Sequence, residues 1–366
     1  MKIAVLTSSR ADYGIYFPLI KAIKQDPFFE LNIIAFGTHL SEEHGYTLNN
    51  IIKDGFDVPF QLDTMPEGDS AYSISKAIAK CVNQFTSVWN EHKFDLVFCL
   101  GDRYEMFAAC ASAVPFNIKL AHIHGGEQTL GAIDDAFRQA ITHFSTYHFT
   151  TNDIYKNRVV ELKGNKMNIY NVGSLSIDNL KSLQLLTIDE FKNKFDIDLS
   201  KPSILITFHP ETVSFEKNET YINEIITALG ETKGYQLIIT KPNADTMGNM
   251  IRNKLNDFIQ LNSDAIGIES FGTLGYLSCM KYCSFMLGNT SSGFVEASFF
   301  PKYVINLGER QRGRITTENI FNCPIDKRSI LKAMADYPLF HTTKVADVYG
   351  EGNSAEKIIQ ILKSLT

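Results

Sequence analysis

Along the chain, short apolar runs rich in β-branched and aromatic residues alternate with longer stretches of helical period. IAVLTS at 3–8 precedes an amphipathic stretch around 15–25, and LNIIAFG follows at 31–37. DLVFCLGD at 95–102 leads into a helical stretch at 104–114, and IKLAHIHGG at 118–126 into another at 134–146. Strands alternating with helices in this way predict βαβ units on a parallel sheet. The unbroken apolarity of DLVFCL suits a strand covered on both faces.

The alternation weakens between about 173 and 202, where GSLSIDNLKSL gives way to a polar, lysine-rich stretch and Lys201-Pro202. It restarts with SILITFHPET at 203–212, YQLIITKPN at 235–243, CSFMLGNTSSG at 283–293 and KYVINLG at 302–308. The expected architecture is therefore α/β: two Rossmann-like domains in series, 1–175 and 176–366, each with a parallel sheet. SAEKIIQILKSL at the end could pack on either domain, including back onto the first. A length of 366 residues agrees with two domains at roughly 100–200 residues each.

Composition removes several function classes. A formal net charge of -6 gives no electrostatic support to nucleic-acid binding. The six cysteines are scattered, without a CxxC pair or a zinc-like His cluster, so buried free thiols in a reducing compartment are expected. Neither a signal-peptide pattern nor a run of about 18 apolar residues is present. A soluble, cytoplasmic protein without a membrane partner is the expectation.

In open parallel sheets ligands bind beyond the carboxyl ends of the strands, so the residues after each apolar run matter most. The first run ends in Thr7-Ser8-Ser9-Arg10-Ala11-Asp12, either an anion site at a helix start or a plain N-cap with a surface arginine. No GxGxxG or GxxxxGK[ST] occurs, so NAD and P-loop chemistry are not favoured. Gly101-Asp102-Arg103 places an acid at a strand end, well placed for catalysis, though Asp102 taken alone reads first as a helix N-cap. LAHIHGGE brings His122, His124 and Glu127 around a glycine pair, with Asp134 and Asp135 soon after. With too few ligands for zinc, this group reads as proton-transfer equipment rather than a metal site.

In the second half, HPET supplies His209 and Glu211, and KPNAD supplies Lys241, Asn243 and Asp245. GNTSSGFVE carries Ser291, Ser292 and Glu296: a turn of exposed N–H groups and hydroxyls suits a diphosphate, and the following acid suits ribose hydroxyls. GERQRGR clusters Arg310, Arg312 and Arg314, either a phosphate partner or a solvated basic loop.

SSRADYG, GDRYE, HIHGGE, IDDAFRQAITH, HPET, NTSSGFVE, NLGERQRGR and YGEGNSAEKI run in order from about Lys2 to Leu365. Together they resemble the UDP-N-acetylglucosamine 2-epimerases. SRADYG, GDR, the GGE turn and GERQRGR point to the hydrolysing branch, used in sialic-acid and related nonulosonic-acid synthesis. The resemblance implies a GT-B-like fold with an inter-domain cleft and the nucleotide held mainly by the second domain. It also implies a reaction: UDP-N-acetylglucosamine loses UDP by elimination to a glucal-like intermediate, which is hydrated to N-acetylmannosamine. No metal or redox cofactor enters that scheme, and a homodimer or higher homo-oligomer is expected.

Carried over by position, the resemblance makes Asp102 and Asp134 proton carriers at C2 and C1, and sets His209 beside the leaving diphosphate. It assigns Arg10, Ser291 and Ser292 to the diphosphate, Glu296 to the ribose, and Arg103, Asn243 and Arg310 to UDP or sugar. His39 is expected to line the sugar side. The chain departs from many relatives at His124, where they carry Glu; either His124 replaces that acid or Glu127 takes over its role. Three other readings stand beside the main one: the same reaction on a UDP-2,4-diacetamido-2,4,6-trideoxy sugar, a non-hydrolysing epimerase, and a GT-B glycosyltransferase. The last leaves Asp102, Glu127 and Asp134 harder to explain.

Overall fold

A computed structural model describes residues 1–242, 247–340, 345 and 347–365. The chain divides into two compact units, each built on a parallel sheet. In the first, β1 (Lys2–Thr7), β2 (Glu30–Phe36), β3 (Phe60–Leu62), β4 (Leu96–Leu100), β5 (Leu120–Ile123), β6 (Tyr147–Thr150) and β7 (Ile169–Asn171) lie in the order β3-β2-β1-β4-β5-β6-β7. Successive residues of β1 serve opposite faces. Ile3 and Val5 join a core with Tyr16, Ile20, Ile358 and Leu362, while Ala4 and Leu6 join one with Phe85, Trp89 and Met106. A strand apolar at every position is what a sheet covered on both faces requires.

The second unit holds β8 (Ser203–Thr207), β9 (Gln236–Thr240), β10 (Ala265–Ile268), β11 (Phe285–Gly288), β12 (Val304–Leu307) and β13 (Ile320–Cys323), ordered β10-β9-β8-β11-β12-β13. Strand order reverses between β1 and β4 in one sheet and between β8 and β11 in the other, the places where such sheets open a ligand crevice. Each unit is Rossmann-like, as the periodicity predicted.

The boundary between units falls after Ser182, beyond the expected 175. The helix Leu175–Ser182 stays with the first unit because it packs on the helix Arg10–Gln25, where Asn179 Nδ2 donates to the Gly14 carbonyl at 2.6 Å. The final helix, Ser354–Ser364, also belongs to the first unit. Its first amides, Ser354 N and Ala355 N, donate to the Asp178 carboxylate at 3.0 and 2.7 Å, an anion at the positive helix end. Residues 128–133 in turn pack with the second unit: Leu130 N donates to the Arg312 carbonyl, and Ile133 N to Thr212 Oγ1, both at 2.9 Å. Among the described residues no helix is long and apolar enough to cross a membrane.

Candidate active site

β4 and β5 end level, since Leu100 and Ile123 are register partners, so Gly101-Asp102 and His124 emerge side by side. Beneath them lies Arg138, which the sequence reading did not single out. It sits on the inward face of the helix Asp134–Phe144 and is 2% exposed. Its guanidinium pairs with Asp102, donates to the His124 carbonyl at 3.0 Å, and lies 3.5 Å from Glu127 Oε2. Its spacing to Ile141 and Thr142, which share the buried face, was the available signal. Asp134 opens the same helix, half-buried, four residues before Arg138.

Glu127 is enclosed, accepting from Thr151 Oγ1 at 3.2 Å and meeting His124 Nδ1 at 3.2 Å. The GG pair permits this packing. Gly126 has φ +80, and a Cβ there would stand 2.3 Å from the Tyr155 carbonyl oxygen. His122 is a different case from its neighbour. Its Nε2 meets the Gly101 carbonyl at 2.8 Å and its Nδ1 meets Thr142 Oγ1 at 3.1 Å, and burial pushes its pKa down to about 4.

At the end of β1, the Asp12 carboxylate accepts from Ser8 N, Ser8 Oγ and Ser9 Oγ, and Ser9 caps the helix that Arg10 opens. Ser9 is thus the N-cap, with Arg10 at the helix start. His39 lies in the turn that follows β2. It is 0% exposed, its Nε2 meets Thr7 Oγ1 at 2.9 Å and its Nδ1 meets Thr47 Oγ1 at 2.8 Å, while burial lowers its pKa to about 4. With both ring nitrogens engaged inside the fold, it braces the end of β1. Arg103 forks onto Glu105, at 3.2 and 3.0 Å. Burial raises the Glu105 pKa, and the Arg103 guanidinium works against that rise.

In the second unit, β8 and β11 end together at the partners Thr207 and Gly288. Gly288 has φ +146, and a Cβ there would fall 1.8 Å from the Thr207 carbonyl oxygen, so only glycine fits. The next residue, Asn289, is fully buried and clasps the backbone of His209 from both sides: His209 N donates to Oδ1 at 2.7 Å, and Nδ2 donates to the His209 carbonyl at 2.8 Å. Gln311 Nε2 donates to the Asn289 carbonyl at 2.7 Å, Arg310 donates to the Pro210 carbonyl, and Glu211 Oε1 accepts from Glu309 N at 2.6 Å. The HPET turn, the NTSSG turn and the ERQRGR loop are thus laced together. Burial raises the Glu211 pKa.

Ser291–Gly293 forms a 3-10 turn, and the α-helix that Glu296 opens runs only to Phe299. The expected helix N-terminus is a single turn, so its N–H groups count for more than its dipole. Tyr276 Oη lies 2.6 Å from Ser292 Oγ, which is 3.1 Å from Thr290 Oγ1. Lys241 is buried against Asn256, and Asn243 and Asp245 lie outside the described residues. Among the described residues no group of three or more His, Cys, Asp or Glu is arranged to hold a metal ion.

The family model described as UDP-N-acetylglucosamine 2-epimerase matches residues 21–363. A GDP/UDP-N,N'-diacetylbacillosamine 2-epimerase (hydrolyzing) of Campylobacter jejuni is 35% identical, over 89% of this chain and 85% of its own. The polysialic acid biosynthesis protein P7 of Escherichia coli is 33% identical over 91% and 85%. A UDP-N,N'-diacetylbacillosamine 2-epimerase (hydrolyzing) of Legionella pneumophila is 31% identical over 100% and 96%. In fold, the chain is similar to the Methanocaldococcus jannaschii UDP-GlcNAc 2-epimerase solved with UDP-GlcNAc and UDP, at TM-score 0.84 and 19% identity over the whole of both chains. The chain belongs to the UDP-N-acetylglucosamine 2-epimerase family, on its hydrolysing branch.

Proposed function

We propose that this protein is a hydrolysing 2-epimerase of UDP-N,N'-diacetylbacillosamine, releasing UDP and the free 2,4-diacetamido-2,4,6-trideoxy sugar inverted at C2. The observation that carries the acid–base part is the enclosed constellation of Asp102, Glu127, His124 and Arg138 beyond β4 and β5. Carboxylates and an imidazole held by a buried cation are suited to moving a proton at carbon. The sugar is supported by two relatives, each spanning most of the chain, whose names carry diacetylbacillosamine. That support favours the trideoxy sugar over UDP-N-acetylglucosamine, the first expectation from the motifs. The relative concerned with polysialic acid keeps the latter in the test.

In this reading Asp102, Asp134 and the His124–Glu127 pair handle the protons, and His209 stands at the departing diphosphate. Arg10, Ser291, Ser292 and Arg310 meet the phosphates, Glu296 the ribose, Arg103 and Asn243 the UDP-sugar. The chain acts as a homodimer or higher homo-oligomer, which light scattering checks. Turnover of the two UDP-sugars, with the GDP form of the trideoxy sugar in parallel, tests the substrate by NMR in D2O. We expect UDP release, deuterium at C2 of the free product, and a kcat/KM roughly tenfold or more in favour of the trideoxy sugar. Faster turnover of UDP-N-acetylglucosamine would overturn the substrate, and an epimer still attached to UDP would overturn hydrolysis.

A further inference from the structure

Two histidines stand at the HIHGGE strand end, and the fold treats them differently. His122 has both ring nitrogens engaged, at Gly101 and Thr142. His124 has its Nδ1 engaged by Glu127 at 3.2 Å, while its Nε2 is buried with no hydrogen-bond partner among the described residues. A buried polar nitrogen left without a partner is uncommon and asks for an explanation.

The rest of His124 is held on every side. Its backbone has φ +67, the left-handed region that non-glycine residues seldom enter. Its N–H donates to the Phe149 carbonyl at 3.2 Å, and its own carbonyl accepts from Arg138 at 3.0 Å. Backbone strain maintained by its surroundings collects at functional sites. Glu127, which meets Nδ1, is itself held by Thr151 and by Arg138. A carboxylate only accepts, so the imidazole proton sits on Nδ1 and the lone pair on Nε2.

We infer that His124 Nε2 is the base that takes the C2 proton, with Glu127 and Arg138 as positioning residues that hold the ring and its tautomer; this rests on the 2-epimerase reading above. As Nε2 gains the proton, the C2–H electron pair becomes the C1=C2 bond. The C1–O bond breaks, and its electron pair leaves with the β-phosphate of UDP. The imidazolium formed is stabilised by the Glu127 carboxylate, the logic of a carboxylate behind a catalytic histidine. A proton then reaches the opposite face of C2 from another group, water bonds to C1 and its released proton recharges that group. The imidazolium gives its proton to the departing UDP or to solvent. Atoms and charge balance as UDP-sugar plus water giving free sugar plus UDP.

Two substitutions separate this from the reverse assignment, in which Glu127 carries the proton and His124 only orients it. His124→Asn suits the left-handed backbone and still offers an N–H to Glu127, yet has no basic nitrogen. We expect it to lower kcat by roughly 10²–10⁴, with little change in KM, UDP binding or melting temperature. His124→Gly also tolerates the backbone, and free imidazole should restore its UDP release at least about tenfold. His124→Asn retaining kcat within about fivefold, or His124→Gly unmoved by imidazole, would overturn the base assignment. Should His124→Asn fail to fold, the imidazole response of His124→Gly decides alone. Wild-type protein that releases UDP from neither UDP-sugar sinks the 2-epimerase reading itself, whereas an active wild type with an equally active His124→Asn sinks only the inference about His124.

Discussion

At the carboxyl end of the first sheet, acids and a histidine gather on one buried guanidinium; at the same end of the second sheet, amides and hydroxyls do most of the holding, with Arg310 and Glu211 beside them. Arg138 ties Asp102, Glu127 and the His124 carbonyl. Asn289, Gln311, Tyr276, Thr290 and Ser292 tie the turns of the second unit. In the proposed function the contrast matches what each end would have to do. Moving a proton needs groups that can change charge while their positions stay fixed. Holding an anion needs fixed dipoles that do not titrate, which backbone amides and hydroxyls supply.

The largest break in that contrast is removal of the buried cation. Arg138→Met leaves Asp102 and Glu127 without their counter-charge, and should cost about 3–5 kcal/mol of stability together with nearly all turnover. The protein has a single tryptophan, Trp89, in the core of the first unit, so its fluorescence during denaturant melting reads that unit alone. Arg138→Lys should recover part of the stability and little of the activity, since one ammonium cannot serve three acceptors in fork geometry.

In the second unit the comparable break is steric. Gly288→Ala puts a methyl group into the Thr207 carbonyl at a backbone angle closed to alanine, at a cost of about 3 kcal/mol. Circular dichroism should report the loss while the Trp89 transition stays in place. A Trp89 transition that moves equally would mean that the two units melt as one.

Acid distinguishes the units next. His39 and His122 titrate at about 4 in the fold, against an ordinary value of 6.5 once unfolded, because burial disfavours the charged ring. Their folded values are depressed, so the unfolded chain takes up protons that the folded chain refuses. Stability is complete above about 6.5 and is lost as pH falls from there towards about 4, by about 3 kcal/mol for each histidine. The Trp89 midpoint in denaturant should fall across that window, and His122→Gln should flatten the slope. An unchanged slope would place the acid sensitivity elsewhere. The smallest effect is expected at Tyr276→Phe, which removes one hydroxyl from Ser292. About 1 kcal/mol, or roughly fivefold weaker UDP binding by calorimetry, with kcat unaltered, is the expected result.

The strands that the alternation predicted are the inner ones, β1, β2, β4, β5, β8, β9, β11 and β12, whose residues are almost all buried. The strands it passed over are mostly peripheral. β3, β7, β10 and β13 close the sheet edges, and β6 lies next to one edge. Half-exposed strands such as Phe60–Leu62 and Ile320–Cys323 carry too short and too mixed a pattern to stand out.

The motifs at the strand ends were legible for a related reason. A parallel strand covered on both faces must be apolar throughout, so the first polar residues after it mark where the chain leaves the sheet. Asp102, His124, Glu127, His209 and Ser291 all sit at such exits. What no one-dimensional pattern carried was which of these groups meet. His39 and His124 both follow a strand, yet one has two threonines on its ring and the other keeps a nitrogen without a partner among the described residues. Arg138 lies 36 residues from Asp102 and reads as an ordinary helix residue until the helix is packed. Local periodicity reflects burial, which every residue of a strand or helix shares with its neighbours. Hydrogen-bond partnership is a pairwise property of distant residues, and only the packed sheet and helices decided it.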